Sequence, residues 1–485
     1  MDFFERYKNI FLILLLVFFI RFINIGAPLL GPQDWRQCDT AAIARNFYEN
    51  GMNFFYPEVD WAGEKPGYVE MEFPLYPYMA AVLYKLFGVN EIFGRAISIA
   101  ASVLAALFLY LLTRETTGEI AARYAAFFFA ILPLIAFYTT SFQPEALFIM
   151  CSLGGIYYLL RWTASDRPRH FFISAVFISL SCLLKITNLY MCIPVFYLFW
   201  MKFRNAAPLK ASFWLYGAIV LLPSAAWYYH AHDIFLRYGT TFGIWDHGTG
   251  KWLNLDFLKP YFFKNVFFFS LFIKHFALFG FPVFIAGIFM KRANERERIF
   301  DFWLLGAMIY LAIVARGNAL HEYYQLPLAV LGTVYMGMFF ARYNNVGRII
   351  RAYLYLIIAM SVIMYSVYLT LQSPLDSDVF NFASVISEKL KDERLVIHVE
   401  TNEPRWVFPG CRPVLLYHAH KKGWVVSASE MSEKYLSEKK ASGAGYILGA
   451  REYFDTADRL AFFNLLLDGR REVIYNDGKN FIVKL

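Results

Sequence analysis

The chain has 485 residues, of which 58% are hydrophobic, 20% aromatic and only 17% charged. Soluble globular chains run nearer half apolar and a quarter charged, so a disordered protein, a disulfide miniprotein, a coiled coil and an ordinary cytosolic enzyme are excluded. The apolar residues form long runs, not the short alternating segments of an outer-membrane barrel, and the composition is that of an α-helical polytopic membrane protein. The net charge is +8. From Asp376 onward there are 16 Lys and Arg against 16 Asp and Glu, so the whole excess lies in the first 375 residues, as 30 against 22. Positive connections between membrane spans explain that excess, and no basic stripe for nucleic acid is indicated. The five cysteines (Cys38, Cys151, Cys182, Cys192 and Cys411) contain no CxxC pair and indicate neither a disulfide framework nor a zinc site.

Uncharged intervals define the expected spans. The first, Ile10–Leu30, is broken only by Arg21 and has no small-residue cleavage site after it, so it reads as a retained span. Next come Ala96–Thr113, Tyr124–Pro144, Ala146–Leu160, Phe171–Leu184, Ile186–Met201 and Ala211–Tyr229. Phe276–Met290, Phe302–Ala315, Tyr323–Ala341 and Ala352–Leu375 bring the expected number to eleven. Several fall short of the roughly 17–25 residues a span needs, so their helices should extend past a charged residue. Alternate short connections carry 17 basic residues in all, among them Arg6, Arg114, Arg167, Lys202, Arg292 and Arg348. These connections should be cytoplasmic. The N-terminus is then inside, and two long loops, about 31–91 and about 230–275, are outside. Two apolar pieces within them, Phe73–Gly88 and Tyr261–Ile273, are expected as helices lying in the interface.

Residues 1–375 therefore form the expected membrane domain and residues 376–485 a small extracytoplasmic α/β domain. In the tail, Leu395–Glu400, Trp424–Ser427 and Gly445–Leu448 read as strands. Helical patterns lie around Phe380–Lys391, Ser429–Lys440 and Thr456–Leu467. Asn476-Asp477-Gly478 signals a hairpin between Glu472–Tyr475 and Asn480–Val483.

Polar residues that the fold does not require mark the candidate site. In Asp34-Trp35-Arg36-Gln37-Cys38-Asp39-Thr40, Asp39 stands where a helix N-cap is expected, with Gly51 closing that helix. Asp34 has no such capping role; it serves either in an ion pair with Arg36 or as a functional acid beside lipid. Glu145 follows Pro144 at the start of a span, where the helix dipole favours an acid and where a hydroxylated substrate could also be held. Arg95, Lys185, Arg316 and His321 lie at the outer ends of spans. They could snorkel to head groups or bind a lipid phosphate. Tyr323 belongs to a polar helix start after His321, and Glu72 is a lone acid before an interfacial helix, where it could cap. No HExxH, P-loop, GxSxG or dinucleotide fingerprint is present, and the nine histidines show no metal-ligand spacing.

These residues resemble those of the GT-C glycosyltransferases that use polyprenyl-phosphate sugars. The likeness is to family 39, the group of the protein O-mannosyltransferases and the lipid A aminoarabinose transferase. It is carried by Asp34-Trp35-Arg36-Gln37 with Asp39 through Phe47, by Glu72-Phe73-Pro74-Leu75-Tyr76, by Gly94-Arg95, Pro144-Glu145 and Lys185, and by His321 through Leu328. The ordered set spans roughly residues 1–370. The resemblance implies a GT-C fold and transfer of a sugar from a polyprenyl-phosphate donor to a glycan, lipid or protein acceptor at the outer face of the plasma (inner) membrane. Asp34 takes the place of the general base and Glu145 that of the acid in the second outer loop. Arg95, Lys185, Arg316 and His321 become donor-phosphate ligands, with Arg36, Asp39, Glu72 and Tyr323 around the substrate. The family often carries Asp-Glu at the base; this chain has Asp34-Trp35. A single base opposite the leaving group implies inversion. The donor lacks a nucleotide diphosphate, so no cofactor is required and a divalent cation is not indicated. Two other classes are weighed against this. A lipid-linked glycan transporter or flippase requires a polar path through mid-bilayer, whereas the acids lie near one face. A receptor or scaffold requires a site in the tail, whereas the polar cluster lies in the membrane domain.

Overall fold

The computed structural model describes residues 3–245, 252, 254–343, 347–373, 378–392, 394–401 and 412–485. Asp376, the expected start of the tail domain, and Cys411 lie outside the described residues. The helices begin with α1 (Phe3–Phe22), α2 (Asp34–Glu49), α3 (Leu75–Phe87) and α4 (Glu91–Thr117). Then come α5 (Glu119–Ile131), α6 (Pro133–Tyr138), α7 (Glu145–Ser165) and α8 (Pro168–Leu184). A 3-10 turn, Ile186–Met191, leads into α9 (Cys192–Phe203), followed by α10 (Ala211–Tyr238). Pro260–Phe262 opens α11, which continues as a π-helix over Phe263–His275. After it come α12 (Gly280–Ile288), α13 (Ile299–Ile313), α14 (Ala315–Leu320), α15 (Leu326–Arg342) and α16 (Gly347–Thr370).

Packing divides the chain into two compact units. The first comprises Met1–Gly26, Ile92–Tyr229 and Gly250–Leu371. The second comprises Ala27–Glu91, His230–Thr249 and Gln372–Leu485, so the unit that holds the tail also takes in the first long loop and part of the second.

Among the described residues six helical stretches are long and apolar enough to cross a membrane: Glu91–Thr117, Glu145–Ser165, Ile186–Leu209, Ala211–Tyr238, Glu322–Arg342 and Gly347–Thr370. Pro260–His275 and Gly280–Ile288 form a pair bent by 112°, a seventh if taken as one broken span. The chain is thus a multi-pass membrane protein, with fewer long spans than the eleven uncharged intervals suggest. The expected span Tyr124–Pro144 is divided at Pro133, which opens α6 and leaves Leu132 extended (φ −63°, ψ 129°), the conformation a following proline imposes. Tyr261–Ile273, expected in the interface, is one arm of the bent pair, and Ala277 and Leu278 turn the chain at positive φ. Phe171–Leu184 lies within the 17 residues of α8 and Phe302–Ala315 largely within the 15 of α13.

The Pro133 break strands carbonyls at the end of α5, since proline has no N–H to offer. Arg21 of α1 meets them. Its Nη1 and Nη2 donate to Ala130 O and Phe129 O, both at 2.9 Å, and its Nε donates to Ser102 Oγ at 2.7 Å. The one charge inside the first apolar interval therefore satisfies the helix break. Close helix crossings complete this unit. A Cβ at Gly337 of α15 would lie 2.5 Å from Ala121 O of α5, so only glycine allows those backbones to approach.

The second unit is built on a five-stranded sheet in the order β2-β1-β3-β5-β4. β1 (Leu395–Thr401) pairs in parallel with β2 (Gly423–Ser427) and β3 (Ala444–Ala450), while β5 (Asn480–Lys484) runs antiparallel to β3 and to β4 (Val473–Asn476). The strand and hairpin signals of the tail are matched closely. Asp477 accepts from the amides of Lys479 and Asn480, and Gly478 takes φ 85°. Alternation puts Val396, Tyr446, Leu448 and Ile482 on one face with α17 (Asp378–Lys389) and α18 (Val414–Ala419). Ile397, Val399, Ile447 and Phe481 take the other face, with α19 (Glu433–Ala441) and α20 (Ala457–Leu466). Both faces are covered, which is why the parallel strands read as continuous apolar runs. The first long loop covers the β2 edge: Gly63 N donates to Gly423 O at 2.8 Å and Gly423 N to Asp60 O at 2.9 Å.

Gly63 sits at φ 65°, and a Cβ there would lie 2.1 Å from Trp424 Nε1. Gly63→Ala should therefore lift this loop from β2, at a cost of about 1–3 kcal/mol for the forced contact. Hydrogen exchange should show faster exchange of the Gly423 amide, with the β3–β5 pairing unchanged.

Candidate functional site

Each unit holds one cluster of the residues singled out in the sequence. In the second unit the cluster is built on α2, which starts six residues earlier than expected. Gln33 adopts a left-handed conformation (φ 57°), and its carbonyl accepts from Arg36 N and Gln37 N. Asp34 is thus the first helical residue. Asp39 is not an N-cap but lies in the second turn, buried. Almost the whole helix from Asp34 to Phe47 is buried although it is largely polar, and each buried polar group needs a partner.

Those partners come from the loops and the tail. Asp34 Oδ1 accepts from Trp35 N at 2.7 Å, and Oδ2 is paired with Arg412 Nη2. The alternative pairing of Asp34 with Arg36 is replaced by an ion pair between Arg36 and Glu72, with the Arg36 guanidinium 4.9 Å from the Phe242 ring centre. Glu72 does not cap, since α3 begins only at Leu75. Arg45 pairs with Asp60 at 2.6 Å and donates to Tyr417 O at 3.0 Å, and Asn46 donates to Asp60 at 2.9 Å. Asp39 accepts from Trp61 Nε1 at 2.9 Å. Burial pushes its carboxyl up to about 7, against the opposing effects of the Trp61 bond and the Arg36 charge.

In the first unit, α7 begins at Glu145 after Pro144, and Lys185 breaks the apolar stretch between α8 and Ile186–Met191 in an extended conformation. Lys185 Nζ donates to Glu145 Oε1 at 2.8 Å, and the pair is largely buried. The ammonium also lies 4.8 Å from the ring centres of both Tyr323 and Tyr324 and 5.0 Å from that of Phe148. His321 lies against the same two tyrosines with its ring tilted to theirs, ring centres 5.8 and 5.3 Å away. The structure thus gathers Glu145, Lys185, His321 and Tyr323 into one cluster. Arg95 is buried and donates to Asn24 O at 2.7 Å, and the charge of Arg316 acts on Asp256 and Tyr261.

Two residues beyond those singled out belong here. Glu322 accepts from Tyr138 at 2.6 Å and from Tyr368 at 2.9 Å, and pairs with Lys274 at 2.6 Å. It anchors the turn that presents His321, Tyr323 and Tyr324; its place between them was the available signal. Gln143 is fully buried with no partner for either amide atom, and Glu145 Oε2 also has none among the described residues. Such groups call for a ligand or water. Among the described residues no three His, Cys, Asp or Glu side chains are placed to hold a metal ion.

Residues 65–230 match the family model of dolichyl-phosphate-mannose-protein mannosyltransferase. That stretch contains Glu72, Arg95, Glu145 and Lys185 and excludes Asp34. The chain is 26% identical over 193 residues to the Bacillus subtilis (strain 168) protein "Putative mannosyltransferase YkcB", and the match covers 39% of this chain and only about a quarter (26%) of that relative's length. The structure of ArnT from Cupriavidus metallidurans bound to undecaprenyl phosphate superimposes with a TM-score of 0.68 at 12% identity, over 100% of this chain and 98% of the other. The apo oligosaccharyltransferase of Archaeoglobus fulgidus gives 0.60 at 14% identity, over 93% and 70%. The chain shares the fold of these two structures, and about a third of it matches a family model of the group its sequence resembles.

Breaking a buried ion pair costs about 3–5 kcal/mol, because the remaining charge is stranded. Lys185→Ala should therefore lower thermal stability markedly, and adding Glu145→Gln should recover much of the loss; melting of the purified protein in detergent, run as a double-mutant cycle, measures this. Asp39 gives a pH signature. Between its ordinary value near 4 and about 7 the folded protein holds a proton that the unfolded chain releases. Stability from this group is present at low pH and is lost as pH rises to about 7. Asp39→Asn should thus gain stability relative to the parent when melting is compared at about pH 5 and about pH 8.

Proposed function

We propose that this chain is an integral-membrane glycosyltransferase that transfers a sugar from a polyprenyl-phosphate donor to a glycan, lipid or protein acceptor. The observation that carries this reading is the Lys185–Glu145 pair. A buried ammonium enclosed by three aromatic rings, beside a carboxylate with a free oxygen and the unpartnered Gln143 amide, suits a ligand with phosphate and hydroxyl groups. Gln143, Glu145, Phe148 and Lys185 fall within the stretch that matches the mannosyltransferase family model. Structures of similar fold point the same way: one holds undecaprenyl phosphate and another is a complex with an inhibitory peptide and a dolichol-phosphate.

In this reading Lys185 and His321, with Arg95 and Arg316, offset the charge that grows on the departing lipid phosphate, as preorganised charge does in a water-poor site. Glu145 and Gln143 hold sugar hydroxyls, and Asp34 takes the proton of the acceptor hydroxyl. The acceptor oxygen bonds to the anomeric carbon as the carbon–phosphate oxygen bond breaks, and the electron pair leaves on the phosphate. Attack opposite the leaving group inverts that carbon. No cofactor is needed for this balance. The N-terminus lies in the cytoplasm and the tail outside.

A second reading of the base rests on Asp39. A base works best with a value near the working pH, and burial brings Asp39 to about 7. The two readings separate in one experiment. With a fluorescent dolichyl-phosphate-mannose donor and membranes as the acceptor source, Asp34→Asn should lower turnover by about two orders of magnitude, the scale of general-base catalysis. Asp39→Asn should be much milder. The reverse pattern, with parent turnover rising through about pH 7, would make Asp39 the base.

A further inference from the structure

Asp34 is held on both oxygens by parts of the chain far apart in sequence. Trp35 N, in its own helix, donates to Oδ1 at 2.7 Å, while Arg412, from the tail, pairs with Oδ2. Side-chain exposure is 7% at Asp34 and 38% at Arg412, so the carboxylate is shielded while the guanidinium keeps one open side. Arg412 is itself held from behind: its Nη1 lies 4.0 Å from Glu400 Oε1, at the end of β1. Glu400 in turn lies 3.3 Å from His398 Nε2. Burial and the nearby Arg412 charge push His398 down to about 3, so it adds no charge. One cation thus stands between two carboxylates. Among the described residues, His418 of α18 and Cys38, one turn along α2, also feel the Asp34 charge. All of these residues belong to the second compact unit.

A carboxylate that serves as a base must keep one oxygen aimed at the incoming hydroxyl, and free rotation of a short side chain works against that. Two fixed donors remove the rotation. We propose that Arg412 is a positioning residue for Asp34, clamped by Glu400, so that the C-terminal tail takes part in turnover itself. This rests on the reading of Asp34 as the base.

The test uses the full-length protein in lipid nanodiscs. Turnover is read as kcat and donor KM for the parent, Arg412→Gln, Arg412→Lys and Glu400→Gln, and Arg412→Lys should recover part of the kcat that Arg412→Gln loses. With dolichyl-phosphate-mannose as donor probe, Arg412→Gln should lower kcat ten-fold or more with donor KM unchanged. It should add nothing in an Asp34→Asn background. Melting temperature confirms that each variant is folded. Should Arg412→Gln misfold, Arg412→Lys and Glu400→Gln carry the test through the same kcat and KM readout. Parent-like kcat in the folded variants, or an equal loss of kcat with and without Asp34, overturns the proposal. Parent-like turnover in Asp34→Asn overturns the base reading and this proposal together. Loss in Asp34→Asn beside parent-like turnover in Arg412→Gln overturns this proposal alone.

Discussion

Away from water a charged or polar group persists only where partners replace its hydration, and that constraint organises both units of this chain. Arg21 is fully buried in an apolar helix because Pro133 leaves carbonyls that a guanidinium can satisfy. Neither feature is tolerable without the other: the arginine would be a stranded charge and the helix break a pair of stranded acceptors. The same requirement holds Lys185 against Glu145, Glu322 among Lys274 and two tyrosines, and Arg45 against Asp60. These groups are costly to bury singly and are stable together, so they fix which helices and loops must meet.

This has a consequence for chemistry. A pair that compensates itself completely has nothing left for a ligand. The Lys185 cluster is not of that kind: Glu145 keeps a free oxygen and Gln143 keeps both amide atoms. Glu322 is the opposite case, saturated by three donors, and its work is to hold the turn that carries His321, Tyr323 and Tyr324. Saturation thus separates anchoring groups from groups with capacity to bind, where residue type alone does not.

In the second unit, the first long loop and the C-terminal tail fold as one body. Asp60 and Gly63 extend the sheet at the β2 edge, and Arg45 reaches the backbone of α18. An exposed parallel edge strand is a pairing hazard, and the loop removes it. The acids and cations of α2 are thereby set in a framework whose other half lies more than 300 residues away in sequence.

The sequence by itself determined what depends on local pattern. Long uncharged runs required a membrane protein, short continuous apolar runs located the tail strands to within a few residues, and Asn476-Asp477-Gly478 located the hairpin. Proline before Glu145 and the charge at Lys185 marked where α7 begins and α8 ends, because a helix boundary is a property of neighbouring residues. The span count was less legible: uncharged length does not reveal that Pro133 divides one run or that Ala277 and Leu278 bend another. The start of α2 was misplaced for a related reason, since Asp39 has the chemistry of a cap but Gln33 made the turn first. Partner choice was decided only by the tertiary structure. Whether Arg36 meets Asp34 or Glu72, and whether Arg412 reaches Asp34, depends on which loops pack together. Charge attraction is nearly blind to sequence separation, and only the fold sets the distances over which it acts.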